Sequence, residues 1–159
     1  MSSKGIRILD KKNRIVSVEL PDILMEIHDG NLFYWSILYL YATGNLGEGK
    51  SITDLEQQIL DSDKGLVISW EEINNLSHKF YDLMDLTLIG SKDNKFLHRY
   101  KNYQEMYETC DFVIEMVDSS CWEVFSKDQE LINSLAAKFQ DIKFLDPDFR
   151  KQYEGHNSI

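Results

Sequence analysis

The segment that most constrains the fold runs from Phe33 to Ala42, with the sequence FYWSILYLYA. Its side chains are apolar or aromatic on both alternating faces. Alternation places Phe33, Trp35, Ile37, Tyr39 and Tyr41 on one face and Tyr34, Leu38 and Leu40 on the other. A strand with one solvated face alternates apolar and polar residues, so this run predicts a central strand covered on both sides. The chain must then supply neighbouring strands and covering helices.

The rest of the pattern predicts one α+β domain over residues 1–159, with a mainly antiparallel sheet, two hairpins and about four packed helices. The chain is 43% hydrophobic and has two prolines, which disfavours intrinsic disorder. Polar turns at 10–13 and 118–120 predict the hairpins, the first joining 6–9 to 15–19. The tail from Arg150 is expected to fray.

Four helix starts are predicted from their first residues. Pro21 suits a first helical turn, Ser51 suits an N-cap, and the segments beginning at Ser69 and Ser126 each match a capping box. The spacing of apolar residues extends the third helix from Trp70 to Leu83 and predicts a strand from Met84 to Ile89.

The remaining strands are predicted from short apolar runs. Such runs predict two short strands, at Leu66–Ile68 and at Ile142–Leu145. The second hairpin joins 110–117 to 121–125, and its return strand is expected to turn Trp122 and Val124 inward and Glu123 outward.

Charge limits the classes of partner. The formal net charge is −10, with about +3 over residues 1–20, −6 over 53–93 and −8 over 105–148. Nucleic-acid binding requires a basic face, and anionic membranes attract basic segments. The acidic balance therefore disfavours direct contact with nucleic acid or membrane, whereas it suits a basic protein partner.

Neither catalysis nor a cofactor is predicted. The two cysteines, Cys110 and Cys121, form neither a disulfide framework nor a zinc site, and the four histidines have no metal-ligand spacing. The first residues lack the apolar core of a signal peptide, and no apolar run reaches membrane-spanning length. These features predict a cytoplasmic protein that is not an enzyme and needs no metal.

One motif favours a different function. Residues Gly44–Ser51 read GNLGEGKS and satisfy the phosphate-binding pattern G-x-x-x-x-G-K-[ST] between a predicted strand and a predicted helix. In that case Lys50 would reach the β and γ phosphates and Ser51 would bind magnesium. Glu48 lies within the loop and would repel phosphate, so a glycine-rich turn before a helix cap is the preferred interpretation. A small magnesium-dependent nucleotide-binding protein remains the first alternative, and a general adaptor protein is a third possibility.

Several blocks resemble bacterial immunity proteins of contact-dependent inhibition and other polymorphic toxin systems. They are YWSILYLYATGNLGEGKSI, ISWEEINNL and FVIEMVDSSCWEVFSKD, within residues 30–146. The resemblance implies an antitoxin that binds and blocks a cognate toxin C-terminal domain, with a basic nuclease, most simply a ribonuclease, as the expected target.

Acidic side chains are the expected contacts with such a target, because carboxylates can stand where phosphates bind. The candidates are Glu71, Glu72, Asp82, Asp85, Asp118, Asp146 and Asp148. The turn at 118–120 and the loop 92–104 are the expected sites of variable contacts.

Overall fold

A computed structural model describes residues 2–151. Its centre is a seven-stranded antiparallel sheet with the order β5-β4-β6-β7-β8-β1-β9. The strands are β1 (Lys4–Ile8), β4 (Tyr34–Gly44), β5 (Leu66–Ile68), β6 (Phe80–Ser91), β7 (Phe112–Val117), β8 (Cys121–Ser126) and β9 (Ile142–Leu145), with β2 (Lys11–Lys12) and β3 (Ile15–Val16) forming a separate ribbon. The predicted α+β class is confirmed.

Five α-helices lie between residues 2 and 151: α1 (Leu20–Leu24), α2 (Ile52–Leu60), α3 (Trp70–Ser77), α4 (Tyr103–Thr109) and α5 (Gln129–Lys138). Ser51 caps α2, because its Oγ accepts the Asp54 N–H at 3.0 Å. Ser69 and Glu72 form the predicted capping box at α3. Short 3₁₀ turns occupy Gly30–Leu32 and Asn94–Phe96.

The sheet separates two hydrophobic cores. The larger core combines one face of the strands with buried residues of α1, α2, α3 and α5. The smaller core lies on the opposite face, where Met106 and Tyr107 of α4 pack with Phe125 and Val113. The central position predicted for β4 is confirmed, since it lies between β5 and β6.

A register shift in β4 corrects the predicted assignment of faces. The pairing with β6 is irregular between Ile37 and Tyr39, so the alternation changes phase at Leu38. Trp35, Ile37 and Leu40 therefore share the larger core, while Tyr39 and Tyr41 turn to the other face and are about half exposed. Burial on both faces holds only for the first half of this strand.

The first hairpin is smaller than predicted. Asn13 and Arg14, both with positive φ, join β2 to β3 in a tight turn. The apolar residues of β1 pair instead with β8 and β9, which bury Ile6 and Ile8 completely. Local alternation could not reveal those partners, more than 100 residues away.

Two predicted boundaries are also wrong. Helix α3 ends at Ser77 and β6 begins at Phe80, three residues later, although helical spacing continues to Leu83. Helix α5 is capped by Asp128 rather than by Ser126, whose Oγ instead accepts the Asp128 N–H at 2.9 Å.

Candidate protein-binding surface and an adjoining cavity

The seven predicted contact residues lie in three separate places. Glu71 and Glu72 begin α3 beside the edge strand β5, whereas Asp146 and Asp148 follow the opposite edge strand, β9. Six strand spacings of about 4.8 Å separate these edges, so the two groups are on the order of 29 Å apart. The remaining residues are Asp82, Asp85 and Asp118. They lie near the middle of the sheet, at the strand ends opposite to those next to Glu71, Glu72, Asp146 and Asp148.

These three aspartates form one cluster, which we call the Asp82–Asp118 surface. The Asp85 carboxylate accepts the Asp118 N–H at 2.9 Å, and Met84 accepts the Ser119 N–H at 2.8 Å, so β6 fixes the turn between β7 and β8. Asp118 and Ser119 adopt positive φ in that turn, which sets its tip. Asp82 and Asp118 are both exposed.

Aromatic side chains flank this surface. Tyr81 is 72% exposed beside Asp82, and Tyr41 is 53% exposed opposite Asp85 on the neighbouring strand. A groove of about 310 Å³, lined by Val16 and Tyr81 among others, adjoins this surface. The Asp82–Asp118 surface is therefore acidic and aromatic.

A buried ionic network lies on the sheet face opposite the larger core. Cross-strand pairing aligns Thr87, Glu115, Glu123 and Arg7 in one row. Arg7 Nε donates to Glu123 Oε2 at 2.9 Å, and Arg150 donates to the other oxygen of the same carboxylate. Glu123 is 1% exposed, so the prediction that it faces solvent is wrong.

Tyr107 extends this network to Glu115. Its hydroxyl donates to Glu115 Oε1 at 2.7 Å and accepts from Arg150 Nε at 3.1 Å. Burial raises the pKa of Glu115 to about 7, although the Tyr107 hydrogen bond opposes the shift. Arg150, at the start of the segment expected to fray, therefore packs against the sheet. Residues 152–159 of the predicted frayed tail lie outside the described residues.

A cavity of about 580 Å³ adjoins this network and opens beside the Asp82–Asp118 surface. Its lining includes Thr87 and Glu115 from the strands, Tyr39 and Asp85 nearer the mouth, and Arg99 from the loop after the second 3₁₀ turn. Sequence reasoning missed this cavity. The available signal was the pair of glutamates in otherwise apolar strands, since a buried charge needs a specific partner.

The glycine loop uses several of its own N–H groups. The Gly47 N–H donates to Asn45 Oδ1 at 2.9 Å, and the Lys50 N–H donates to the Gly47 carbonyl at 3.2 Å. β4 and β5, on either side of α2, pair antiparallel rather than parallel. A phosphate-binding loop directs free N–H groups at its ligand, so this geometry favours a structural turn.

Other reactive groups are buried or dispersed. Cys110 and Cys121 are both buried free thiols, and burial raises the pKa of Cys110 to about 11. Over residues 2–151, no three His, Cys, Asp or Glu side chains are grouped closely enough to hold a metal ion. In the same range, no helix has the length and apolar character needed to cross a membrane.

Comparison of the chain with protein-family models, with curated proteins and with solved structures returned no match in any of the three. The resemblance to immunity proteins therefore stays a prediction.

Proposed function

We propose that this chain is an immunity protein that acts in the cytoplasm and neutralises a cognate toxin C-terminal domain by binding it. The partner is a basic nuclease domain, with ribonuclease as the first activity to test. The chain acts stoichiometrically and not as an enzyme. The observation that carries this proposal is the Asp82–Asp118 surface, where exposed carboxylates lie beside exposed tyrosines.

The carboxylates supply charge complementarity. A nuclease holds its substrate by neutralising phosphates with lysine and arginine, so its cleft presents a positive field. Asp82 and Asp118 project from neighbouring parts of one rigid sheet end and can meet that field together. Complementary charge accelerates association and disfavours wrong partners.

The tyrosines supply the buried contact. Tight interfaces depend on a few aromatic or arginine anchors near their centre, surrounded by weaker contacts. Tyr81 and Tyr41 are exposed in the free protein and so are available for a partner to cover. Because both come from strands, their positions are fixed before binding, which lowers the entropy lost in the complex.

The proposed function predicts that a large secreted protein is encoded immediately upstream of this chain's gene, and the test uses the C-terminal domain of that protein. Wild type is expected to form an equimolar complex and to stop RNA cleavage by that domain. A double variant, Asp82→Lys with Asp118→Asn, is expected to weaken binding by at least about 100-fold. Asparagine suits the positive φ at 118, so the turn is retained.

A control variant changes the net charge of the protein by the same amount, at acidic residues outside the Asp82–Asp118 surface. Glu71→Lys with Asp146→Asn alters the two distant acidic groups and is expected to bind like wild type within about threefold. Full inhibition by the Asp82–Asp118 variant would show that this surface is not the interface. Failure of wild type to bind or inhibit would overturn the proposed function.

A further inference from the structure

The edge strand β5 leaves one side of the seven-stranded sheet open. It is a terminal strand of the sheet and pairs only with β4. Within residues 2–151, no side chain or loop forms a hydrogen bond with the backbone of Leu66–Ile68 on the side away from β4. An open edge presents backbone N–H and C=O groups with which an added strand can pair.

The other exposed edges are protected. Where β4 extends beyond β5, the Ala42 N–H donates to Glu56 Oε2 at 3.0 Å. The Leu38 carbonyl of the same strand accepts from Arg99. The opposite terminal strand, β9, carries the exposed Lys143, and a charged edge residue disfavours strand addition. β5 reads LVI, with no charged residue and no proline, so its edge lacks this protection.

A groove of about 490 Å³ follows this edge, and we call it the β5 edge groove. On one sheet face it is lined by Val67 and Tyr34, which are 55% and 51% exposed. On the other face it is lined by Trp70, whose ring packs on Trp35 at a centroid distance of 4.9 Å. An added strand alternates its side chains between the two faces and would contact both walls.

The β5 edge groove is acidic. Among the described residues that line it, Glu71 and Glu72 are charged and exposed, and none is lysine or arginine. Glu72 Oε1 accepts the Ser69 N–H at 3.1 Å, whereas Glu71 forms no ion pair within residues 2–151. Lys92 lies outside the lining, with its Nζ 5.9 Å from the centroid of the Phe33 ring. This charge favours an occupant with a basic side chain.

The same charges disfavour a second copy of the chain as the occupant. In an antiparallel pair of two β5 strands, the residues before one strand lie beside those that follow the other. These flanks, 61–64 and 69–72, carry Asp61, Asp63, Glu71 and Glu72 against the single base Lys64. Like charges brought together in this way oppose self-association, so the complementary partner is a different, basic polypeptide.

We propose that the β5 edge groove binds an extended segment of a second polypeptide as an added strand, with a lysine or arginine of that segment beside Glu71. This site is separate from the Asp82–Asp118 surface. Ile68 and Asp82 pair with Trp35 and Thr43, which are on the order of 26 Å apart along β4. The inference therefore does not rest on the proposed function.

The site is tested on the intact chain with the peptide Ac-VRVTVRV-NH₂. Two-dimensional ¹H–¹⁵N NMR should show shifts at the amides of Leu66–Ile68, with a dissociation constant below about 1 mM. Hydrogen exchange at these amides should slow when the peptide is bound. The charge control, Ac-VEVTVEV-NH₂, should bind at least about tenfold more weakly. A VRVTVRV peptide with N-methyl groups on two consecutive central residues, which blocks both of its edges, should not bind.

Variants of the chain locate the peptide. Val67→Lys places a base on the open edge and should weaken binding by at least about tenfold. Its control is Phe144→Lys on β9, an exposed apolar residue of the opposite edge strand, which should bind like wild type. Glu71→Gln should weaken binding by about threefold or more, whereas Glu105→Gln, an exposed first-turn acid of α4, should not.

Any of several results would overturn the site. They are no shift in wild type up to about 5 mM peptide, equal binding of either control peptide, or full affinity in Val67→Lys. If Val67→Lys does not fold, equal affinities of Glu71→Gln and Glu105→Gln contradict the proposal. Sedimentation of wild type provides a further test, because a dimer whose slowed amides are those of β5 would make a second copy the occupant.

Discussion

Glu115 and Glu123 lie directly opposite each other on β7 and β8, and both carboxylates are buried. Like charges in directly opposed positions destabilise a sheet, so each carboxylate needs its own compensation. The Glu123 carboxylate accepts hydrogen bonds from two arginines. Glu115 instead accepts a hydrogen bond from a tyrosine hydroxyl, and its pKa is raised. The two neighbouring buried carboxylates are therefore compensated in different ways, Glu123 by two arginine partners and Glu115 by a hydrogen bond and a pKa of about 7.

Stability should therefore fall as pH rises from about 4.5 to about 7. In this window folded Glu115 holds a proton that its unfolded counterpart, with a pKa of 4.5, has released. The contribution is fully present below pH 4.5 and lost above about 7, with a span of about 3 kcal/mol. Urea denaturation of wild type and Glu115→Gln at a series of pH values measures it. The two curves should converge at acid pH and separate in favour of the variant at neutral pH; parallel curves would contradict the assignment.

Glu123→Gln should destabilise the fold much more than loss of an exposed ion pair. The change leaves Arg7 and Arg150 without a carboxylate, and these guanidinium side chains are 26% and 23% exposed. Breaking a buried pair costs about 3–5 kcal/mol, which their partial exposure reduces to about 2–3 kcal/mol. Chemical denaturation at pH 7.5 measures the loss.

The matched control is Asp146→Asn, which removes the exposed pair with Lys4 at 3.5 Å. That change should cost less than about 1 kcal/mol. Equal losses in the two variants would show that the buried network contributes no more than a surface contact.

Gly5→Ala should also destabilise the protein. A Cβ at Gly5 would lie within 3.0 Å of the ring of Phe125, which is itself stacked on Tyr107 at a centroid distance of 3.9 Å. Overpacking of this kind costs about 1–3 kcal/mol. A thermal unfolding series tests the interaction when Phe125→Leu is included alone and in combination. The double variant should be more stable than the sum of the single losses implies, and simple additivity would argue against the contact.

Magnesium with ATP or GTP should not stabilise the chain. The Gly47 N–H is already donated to Asn45, and the Ser51 hydroxyl accepts the Asp54 N–H at the helix cap. A nucleotide at 100 times its dissociation constant would raise the free energy of unfolding by about 2.7 kcal/mol. A thermal-shift titration of wild type and Lys50→Ala would detect such a change. A shift that is lost in Lys50→Ala would establish the nucleotide-binding alternative.

Local signals in the sequence predicted several elements correctly. The capping box at Ser69 and Glu72 and the cap at Ser51 depend on neighbours within three residues, so their chemistry is contained in the local sequence. The turn at Asp118 and Ser119 was predictable for the same reason. These elements correctly indicated an antiparallel α+β domain.

The wrong predictions concern residues whose environment is set by segments far away in the sequence. Glu123 has the alternation of a solvent-facing residue, yet Arg7 and Arg150 meet it from both ends of the chain. The phase change at Leu38 depends on pairing with β6, which apolar periodicity in β4 does not encode. Asp82 and Asp85 lie more than 30 residues from Asp118 in the sequence, and only the pairing of β6 with β7 and the contact of Asp85 with the β7–β8 turn bring them into one candidate surface.

The placement of β1 between β8 and β9 also sets a time order for biosynthesis. This strand is synthesised more than 100 residues before its two neighbours in the sheet, Cys121–Ser126 and Ile142–Leu145. While the intervening residues are made, Ile6 and Ile8 therefore have no partner strand, and the growing chain exposes an apolar segment that aggregation or a chaperone can capture. The sheet is complete only after β9 has been made, so β1 pairs late in the folding of this domain.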